Sequence, residues 1–402
     1  MFFLSINYNK MGGGLMQLVA YGAQDVYLTG NPQITFFKVV YRRHTNFAIE
    51  SIEQTFNGTA DFGRKVTATI SRNGDLIHKM YLQTTLPQQT AQTGAYFSWC
   101  ENPGHALIKN VEVEIGGQKI DKHYGDWLNI WSELTVTDEQ RKGFDRMIGN
   151  DWSRGPPADM VEGQDNSFTA NSTLGAKTLY IPLQFWFNRN PGLALPLIAL
   201  QYHEVKVNFE FRAGSEMNLN IPAHGTCNAI GQTAGENALS STSLWVDYIY
   251  LDTDERRRFA QVSHEYLIEQ LQFTGEESVA STSKTATLNY NHPVKELVWV
   301  AQDDSISGTN RQYNNYGTQP KGYNNEEQDG RAVERNYGEA RSVNPIVTAK
   351  LQLNGHDRFA ERNGDYFNYV QPYQHHTRTP GVGINVYSFA LNPEEHQPSG
   401  TC

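Results

Sequence analysis

Two groups of side chains in this sequence have the types for bond-breaking or metal chemistry. Asp303-Asp304 offers two carboxylates, the material of a glycosidase acid–base pair. Adjacent residues on a strand point to opposite faces, so this pair cannot converge on one bond. His375-His376, with His356 and His396 nearby in sequence, supplies imidazoles for a metal ion. No zinc spacing is present and no thiolate stands beside them, so these histidines are expected in surface loops. The sequence contains no G-x-S-x-G, no phosphate-binding GxxxxGK[ST] loop and no H-E-x-x-H. The reading is therefore no enzyme, with no catalytic residue, no cofactor and no metal.

Three further groups concern binding or modification. Asn57-Gly58-Thr59 and Asn171-Ser172-Thr173 are N-glycosylation sequons, which makes Asn57 and Asn171 the candidate glycan acceptors. Tyr313, Tyr316, Tyr323 and Tyr337 alternate with Arg311, Lys321, Arg331, Arg335 and Arg341, an arrangement suited to stacking on bases or sugars. Glu326, Glu327, Asp329, Glu334 and Glu339 cancel that charge, so Ser307–Ser342 is assigned to a long outer-surface loop. Arg256-Arg257-Arg258 has acidic neighbours and is expected in salt bridges within or between subunits.

The elements that must carry these residues are mostly strands. The chain has 402 residues, 39% hydrophobic and 12% aromatic, which suits two β-rich domains with packed cores. A formal net charge of −10 argues against a protein that wraps nucleic acid, and no sequence-specific nucleic-acid partner is expected. Cys100, Cys227 and Cys402 are an odd count without close spacing, as in a protein made in a reducing cytoplasm. No apolar run approaches the roughly 18 residues of a membrane-spanning helix.

Val66–Ile70 and Leu76–Leu86 alternate around Asn73-Gly74 and predict a hairpin. Val111–Ile115 and Gln118–Ile120 predict a second around Gly116-Gly117. Trp127, Ile130, Trp131 and Leu134 follow helical spacing, and Thr137 opens another short helix that ends at Gly149. Leu179–Leu183, Tyr202–Phe211 and Leu244–Asp252 read as strands, while two prolines bar a long helix from 191–198. Ala213–Ser243 reads as loop. Asp252 to Glu255 and the three arginines bracket a helix over Thr253–Gln261, as its dipole prefers. His264–Phe273, Lys295–Val300 and Ala349–Leu353 are the strands expected after it.

The stretch from Ala20 to Ser51, AYGAQDVYLTGNPQITFFKVVYRRHTNFAIES, resembles the start of the major capsid proteins of nucleocytoplasmic large DNA viruses, of the phycodnavirus, mimivirus and marseillevirus type. Thr69–Leu76, Ile181–Gly192 on through Val205, Asp247–Gln272 and Phe389–Cys402 resemble later landmarks of the same family, in the same order. The resemblance begins at Met11, so Met1 and Met11 both remain candidate starts. It implies an all-β fold of two tandem eight-stranded jelly-roll sandwiches, a double jelly roll, with short inserted helices. It divides the chain into an N-terminal arm at 1–33, a first jelly roll at 34–252, a helical linker at 253–262 and a second jelly roll at 263–402. It also implies a homotrimer that packs with neighbouring capsomers, minor capsid proteins and penton proteins in an icosahedral virion assembled in host cytoplasm. The internal viral membrane is the expected neighbour of the inner face.

Family members continue past the Ser399-Gly400-Thr401-Cys402 landmark. The second jelly roll is therefore expected to be incomplete at its C-terminus, with exposed apolar faces and unpaired edges; the chain is read as a fragment or truncated product, the alternative being a second domain completed by another chain. Two rivals of another class are a carbohydrate-binding β-sandwich module and a jelly-roll glycosidase.

Overall fold

The computed structural model describes residues 46–90, 95–150, 173–222, 238–309, 312–318, 342–397 and 400–402. Among the described residues, eight main strands precede residue 252: Phe47–Gln54, Lys65–Thr69, Leu76–Leu86, Ile108–Ile115, Gln118–Tyr124, Lys177–Pro182, Val205–Phe211 and Ser240–Leu251. Numbered in that order, they form one sheet in the order first, eighth, third, sixth and another in the order second, seventh, fourth, fifth. Leu195–Pro196 adds to the first sheet beside the third strand, and Phe56–Asn57 to the second sheet beside the second strand. Every pairing is antiparallel. Two facing sheets with this interleaved order are a jelly roll.

Alternation along each strand builds the core. In Leu76–Leu86 the side chains of Met80, Leu82, Thr84 and Leu86 are buried, while Lys79 is exposed and Tyr81, Gln83 and Thr85 are partly covered. Val205, Val207, Phe209 and Phe211 alternate likewise on the opposite sheet. These meet Val66, Ala68, Val111, Val113, Val246 and Tyr248 in one continuous cluster. Burying an aromatic such as Phe209 contributes about 2–3 kcal/mol, so this interior dominates the stability of the first sandwich.

Two insertions are helical, as the spacing predicts. Gly125–Thr135 buries Leu128, Ile130, Trp131 and Leu134. Asp138–Ile148 stops at Gly149, whose φ of +90° a side chain would resist. The helix Thr253–Gln261 begins at Asp252, whose carboxylate accepts the Thr253 N–H at 2.7 Å.

Three expectations need correction. Val66–Ile70 and Leu76–Leu86 are not a hairpin: they belong to different sheets, and Asn73-Gly74 carries the chain from one to the other. Gly74 is needed there because a Cβ would stand 2.8 Å from the Cβ of Tyr248. Ala213–Ser243 is not all loop, since Gly214–Met217 is a helical turn and Asn218–Pro222 pairs with Ala95–Trp99. His264–Phe273 is extended but pairs with no strand among the described residues.

After residue 262 the sheets are sparser. Glu296–Val300 pairs with Ile384–Ser388, and short ladders join Thr348–Ala349 to Arg362–Asn363 and Gln352–Leu353 to His356–Asp357. Ile384, Val386 and Tyr316 form a second cluster with Ile130 and Leu134 of the first insertion. Among the described residues this part therefore has fewer paired strands than the first sandwich, and its cluster shares Ile130 and Leu134 with the first insertion.

Candidate functional site

Several buried charged groups gather where the later segment meets the first sandwich. On the strand Gln118–Tyr124, Asp121 and His123 are both fully buried, with Oδ2 and Nε2 3.0 Å apart. His123 stacks on Phe185 at 4.5 Å between ring centroids. The other Asp121 oxygen accepts the backbone N–H of Leu271 at 3.2 Å, and the Gln270 amide donates to the Ile120 carbonyl at 2.5 Å. The extended segment 264–273 is therefore held on the flank of a first-sandwich strand without strand pairing.

Arg189 ends a one-turn helix, Trp186–Arg189, which Asn188 holds by accepting the Phe185 N–H at 3.2 Å and donating to the His78 carbonyl at 2.5 Å. Its guanidinium lies 4.4 Å from the ring of Trp131 and donates to Glu269 at 3.1 Å. Burial pulls the Arg189 pKa below its ordinary value, against the raising influence of Glu269, Asp121 and Glu296. The other Glu269 oxygen takes Lys295 at 2.7 Å and has His396 at 3.8 Å. Lys295 also donates to the Glu395 carbonyl at 2.6 Å. One carboxylate thus ties the end of a first-sandwich helix to two segments of the second sandwich.

Beside this hub, His376 is enclosed between two carboxylates, Glu296 at 2.9 Å from Nε2 and Glu394 at 2.9 Å from Nδ1. Desolvation opposes its charge, yet these two glutamates raise its pKa to about 9. Glu394 also accepts the N–H and hydroxyl of Thr377. The expectation that His375 and His376 are loop histidines fails for His376, which is a buried imidazolium in an ion-pair triad.

The sequence-predicted groups fall apart in space. Asp303 is exposed and accepts from Ser305 N and Oγ at 2.8 and 2.6 Å, contacts that lower its pKa and make it a turn-former. Arg256 pairs within the chain with Asp75 at 2.9 Å. The tyrosine-arginine loop divides. Tyr313 lies under Arg212 at 4.0 Å and donates to the Glu216 carbonyl, and Tyr316 is buried in the second cluster. This end of Ser307–Ser342 is core, not outer surface. Arg311, Lys321, Tyr323, Arg331, Arg335, Tyr337 and Arg341 lie outside the described residues. Asn57 is exposed on its two-residue strand, next to Gly58 at φ +100°, while Asn171 lies outside the described residues. No group of three or more metal-ligand side chains occurs among the described residues.

The exposed surface carries its own pattern. Among the described residues Phe47–Gln54 is paired on one side, and Phe47 and Ile49 are 64% and 55% exposed. In register they sit opposite Leu251 and Ile249, which pack with Leu76, Ala194 and Phe259 outside the main core. On the same sheet Tyr81 stacks parallel to Trp245 at 6.2 Å, with Tyr180 on its other side at 6.2 Å. Apolar and aromatic groups standing on an outer sheet face are the composition of an assembly surface.

Comparison with known proteins agrees with this geometry. Residues 35–252 match the family model of the major capsid protein N-terminus, and residues 255–402 that of the large eukaryotic DNA virus major capsid protein. The major capsid protein of Phaeocystis pouchetii virus is 51% identical over an alignment 471 positions long, covering 98% of this chain and 90% of that one. That of Paramecium bursaria Chlorella virus 1 is 47% identical over 403, covering 98% and 84%. Among solved structures, the PBCV-1 virus capsid aligns with a TM-score of 0.70 at 41% identity, covering 92% of this chain and 84% of that one. The Faustovirus major capsid protein shares the fold at 13% identity and a TM-score of 0.64, covering 95% and 88%. These matches favour a shell protein over a carbohydrate-binding module. With both family models matched in order and the jelly-roll strand order in place, this chain belongs to the major capsid proteins of large eukaryotic DNA viruses, with the double jelly-roll fold.

Proposed function

We propose that three copies of this protein close into a pseudo-hexameric capsomer that tiles an icosahedral shell, and that the protein has no catalytic activity. The observation that carries the reading is the seam of Arg189, Glu269 and Lys295, which makes two sandwiches one block with a fixed outline. A closed ring needs each copy to present two different faces at a constant angle. The exposed edge Phe47–Gln54 and the Tyr180–Tyr81–Trp245 row supply apolar area for one of them. In this reading 1–33 is an arm, 34–252 the first jelly roll, 253–262 the linker and 263–402 the second jelly roll. The arm lies on the inner side, toward minor capsid proteins and the internal membrane, and neighbouring capsomers and penton proteins complete the shell, built in host cytoplasm. Asn57 is accessible for glycan attachment, and Asn171 remains its sequence counterpart.

Light scattering on the purified chain tests the ring. Three times the 45.4 kDa chain mass, lost on Phe47→Asp with Ile49→Asp, supports it. A monomer at concentrations where relatives assemble overturns it. Removing residues 1–33 should leave the trimer intact and abolish shell formation.

A further inference from the structure

An asparagine followed by glycine can lose its side-chain amide, because the glycine nitrogen reaches the asparagine carbonyl with no side chain of its own in the way. The chain carries four such pairs, at 57–58, 73–74, 354–355 and 363–364, and the fold treats them differently.

Asn363-Gly364 is locked. Gly364 donates to the Val347 carbonyl at 2.8 Å, and Asn363 Oδ1 accepts the Asp365 N–H at 2.9 Å. The attacking nitrogen and the group under attack are therefore both engaged, and Gly364 is buried. Asn73-Gly74 is held by its surroundings. The Asn73 amide donates to Ser71 Oγ at 3.0 Å, and Gly74 lies close against Tyr248. Asn354-Gly355 is exposed, but its residues stand at φ +53° and +79° in the two-residue turn between Leu353 and His356. That turn must open before a ring can close.

Asn57-Gly58 has none of these restraints. Asn57 ends the short strand Phe56–Asn57, an edge of its sheet among the described residues, and is paired only with Thr67. Asn57, Gly58 and Thr59 are all exposed, and nothing lies within 4 Å of the Cβ position of Gly58. Among the described residues no hydrogen bond engages the Asn57 side chain or the Gly58 N–H.

We propose that Asn57 is a site of spontaneous modification, converting to aspartate and isoaspartate. The Gly58 nitrogen, its proton taken by hydroxide, bonds to Cγ of Asn57. The Cγ–Nδ2 bond breaks, and Nδ2 takes a proton from water and leaves as ammonia. Water then opens the five-membered imide: at Cγ it gives aspartate, at the backbone carbonyl isoaspartate. The balance is amide plus water to carboxylate plus ammonium. Either product adds a negative charge to the sheet edge. Isoaspartate also lengthens the main chain by one methylene, which disturbs the Asn57–Thr67 register and loosens Phe56 from its edge-on contact with Phe209 at 5.6 Å. The nitrogen that leaves is the atom a glycan would occupy, so Asn57 has a limited lifetime as the acceptor proposed above.

The test stores the purified full chain in mildly alkaline heavy-oxygen water and maps its peptides by mass spectrometry. Asn57 should take up heavy oxygen at least about tenfold faster than Asn363, with Asn73 and Asn354 between them. In urea, where the fold is gone, the four rates should converge. Gly58→Ala should slow the reaction at Asn57 alone. Thr59→Ala destroys the sequon and should leave the rate unchanged, so the glycan reading and this one fail separately. Equal rates at Asn57 and Asn363 in the folded chain, or an Asn57 that converts only in urea, would overturn the inference.

Discussion

The imidazole of His376 and the carboxylate of Glu296 meet at 2.9 Å with the His376 side chain wholly out of solvent, and Glu394 closes the other ring nitrogen at the same distance. The folded protein therefore holds a proton that the unfolded chain releases near the ordinary histidine value. The pKa rises from 6.5 to about 9, so the stabilisation is complete below 6.5 and is lost as pH climbs through about 9. Thermal melts from pH 6 to 10 should show stability falling between about pH 6.5 and about 9 and levelling above that, a slope that His376→Gln flattens. Parallel curves for the two proteins would mean that the triad does not hold its proton.

His105 gives the opposite dependence. It is buried in the turn Pro103–Leu107, and desolvation lowers its pKa to about 4, against the raising effect of Asn129. The folded state refuses a proton that the unfolded state accepts, so stability falls as pH drops from about 6.5 toward 4. His105→Asn should remove that acid slope while lowering stability uniformly. Urea midpoints measured at pH 7 and pH 5 check it, and an unchanged difference between them refutes it.

Glu269→Gln keeps the shape of the hub and deletes its charge. Arg189 and Lys295, both mostly covered, would then face each other without a counter-ion. The expected loss is about 2 kcal/mol, with the residual exposure of these side chains tempering the cost of a fully buried pair. Replacing Arg189 by Met together with Glu269 by Leu should recover part of it. Denaturant unfolding of the three proteins decides, and a double variant no more stable than Glu269→Gln would show that the two charges do not depend on each other.

Gly125 opens its helix with a Cβ position 2.3 Å from the carbonyl oxygen of His105 and 2.4 Å from that of Ile108. Both obstacles are backbone, so Gly125→Ala must shift the turn and should cost about 3 kcal/mol. Gly117, at φ +83° with open space around it, is the control: its alanine variant should lose only about 1 kcal/mol. Calorimetric melts that rank the two equally would contradict the packing at Gly125.

Local patterns were legible where the structure uses them locally. Gly116-Gly117 predicts a hairpin and makes one, and the charge order around Arg256 predicts the helix Thr253–Gln261. Asn73-Gly74 carries the same turn signal, but in a jelly roll most strand partners are distant in sequence, and here the turn crosses between sheets. Tyr313 and Tyr316 look like surface tyrosines because their neighbours are polar, yet Arg212 and the helix Gly125–Thr135 cover them from far along the chain. His376 was illegible for the same reason: its two carboxylates sit on Glu296 and on Glu394, 18 positions away.

The clamp of Arg189 on Glu269 also has a mechanical meaning. A hinge between the two halves of a shell subunit would let it fold like a page under load. An ion pair shielded from water resists that torque with a stiffness that added salt barely softens, since screening acts mainly on exposed charge. The bending rigidity of a wall built from such tiles would then be set inside each subunit, and the contacts between subunits would be left free to yield.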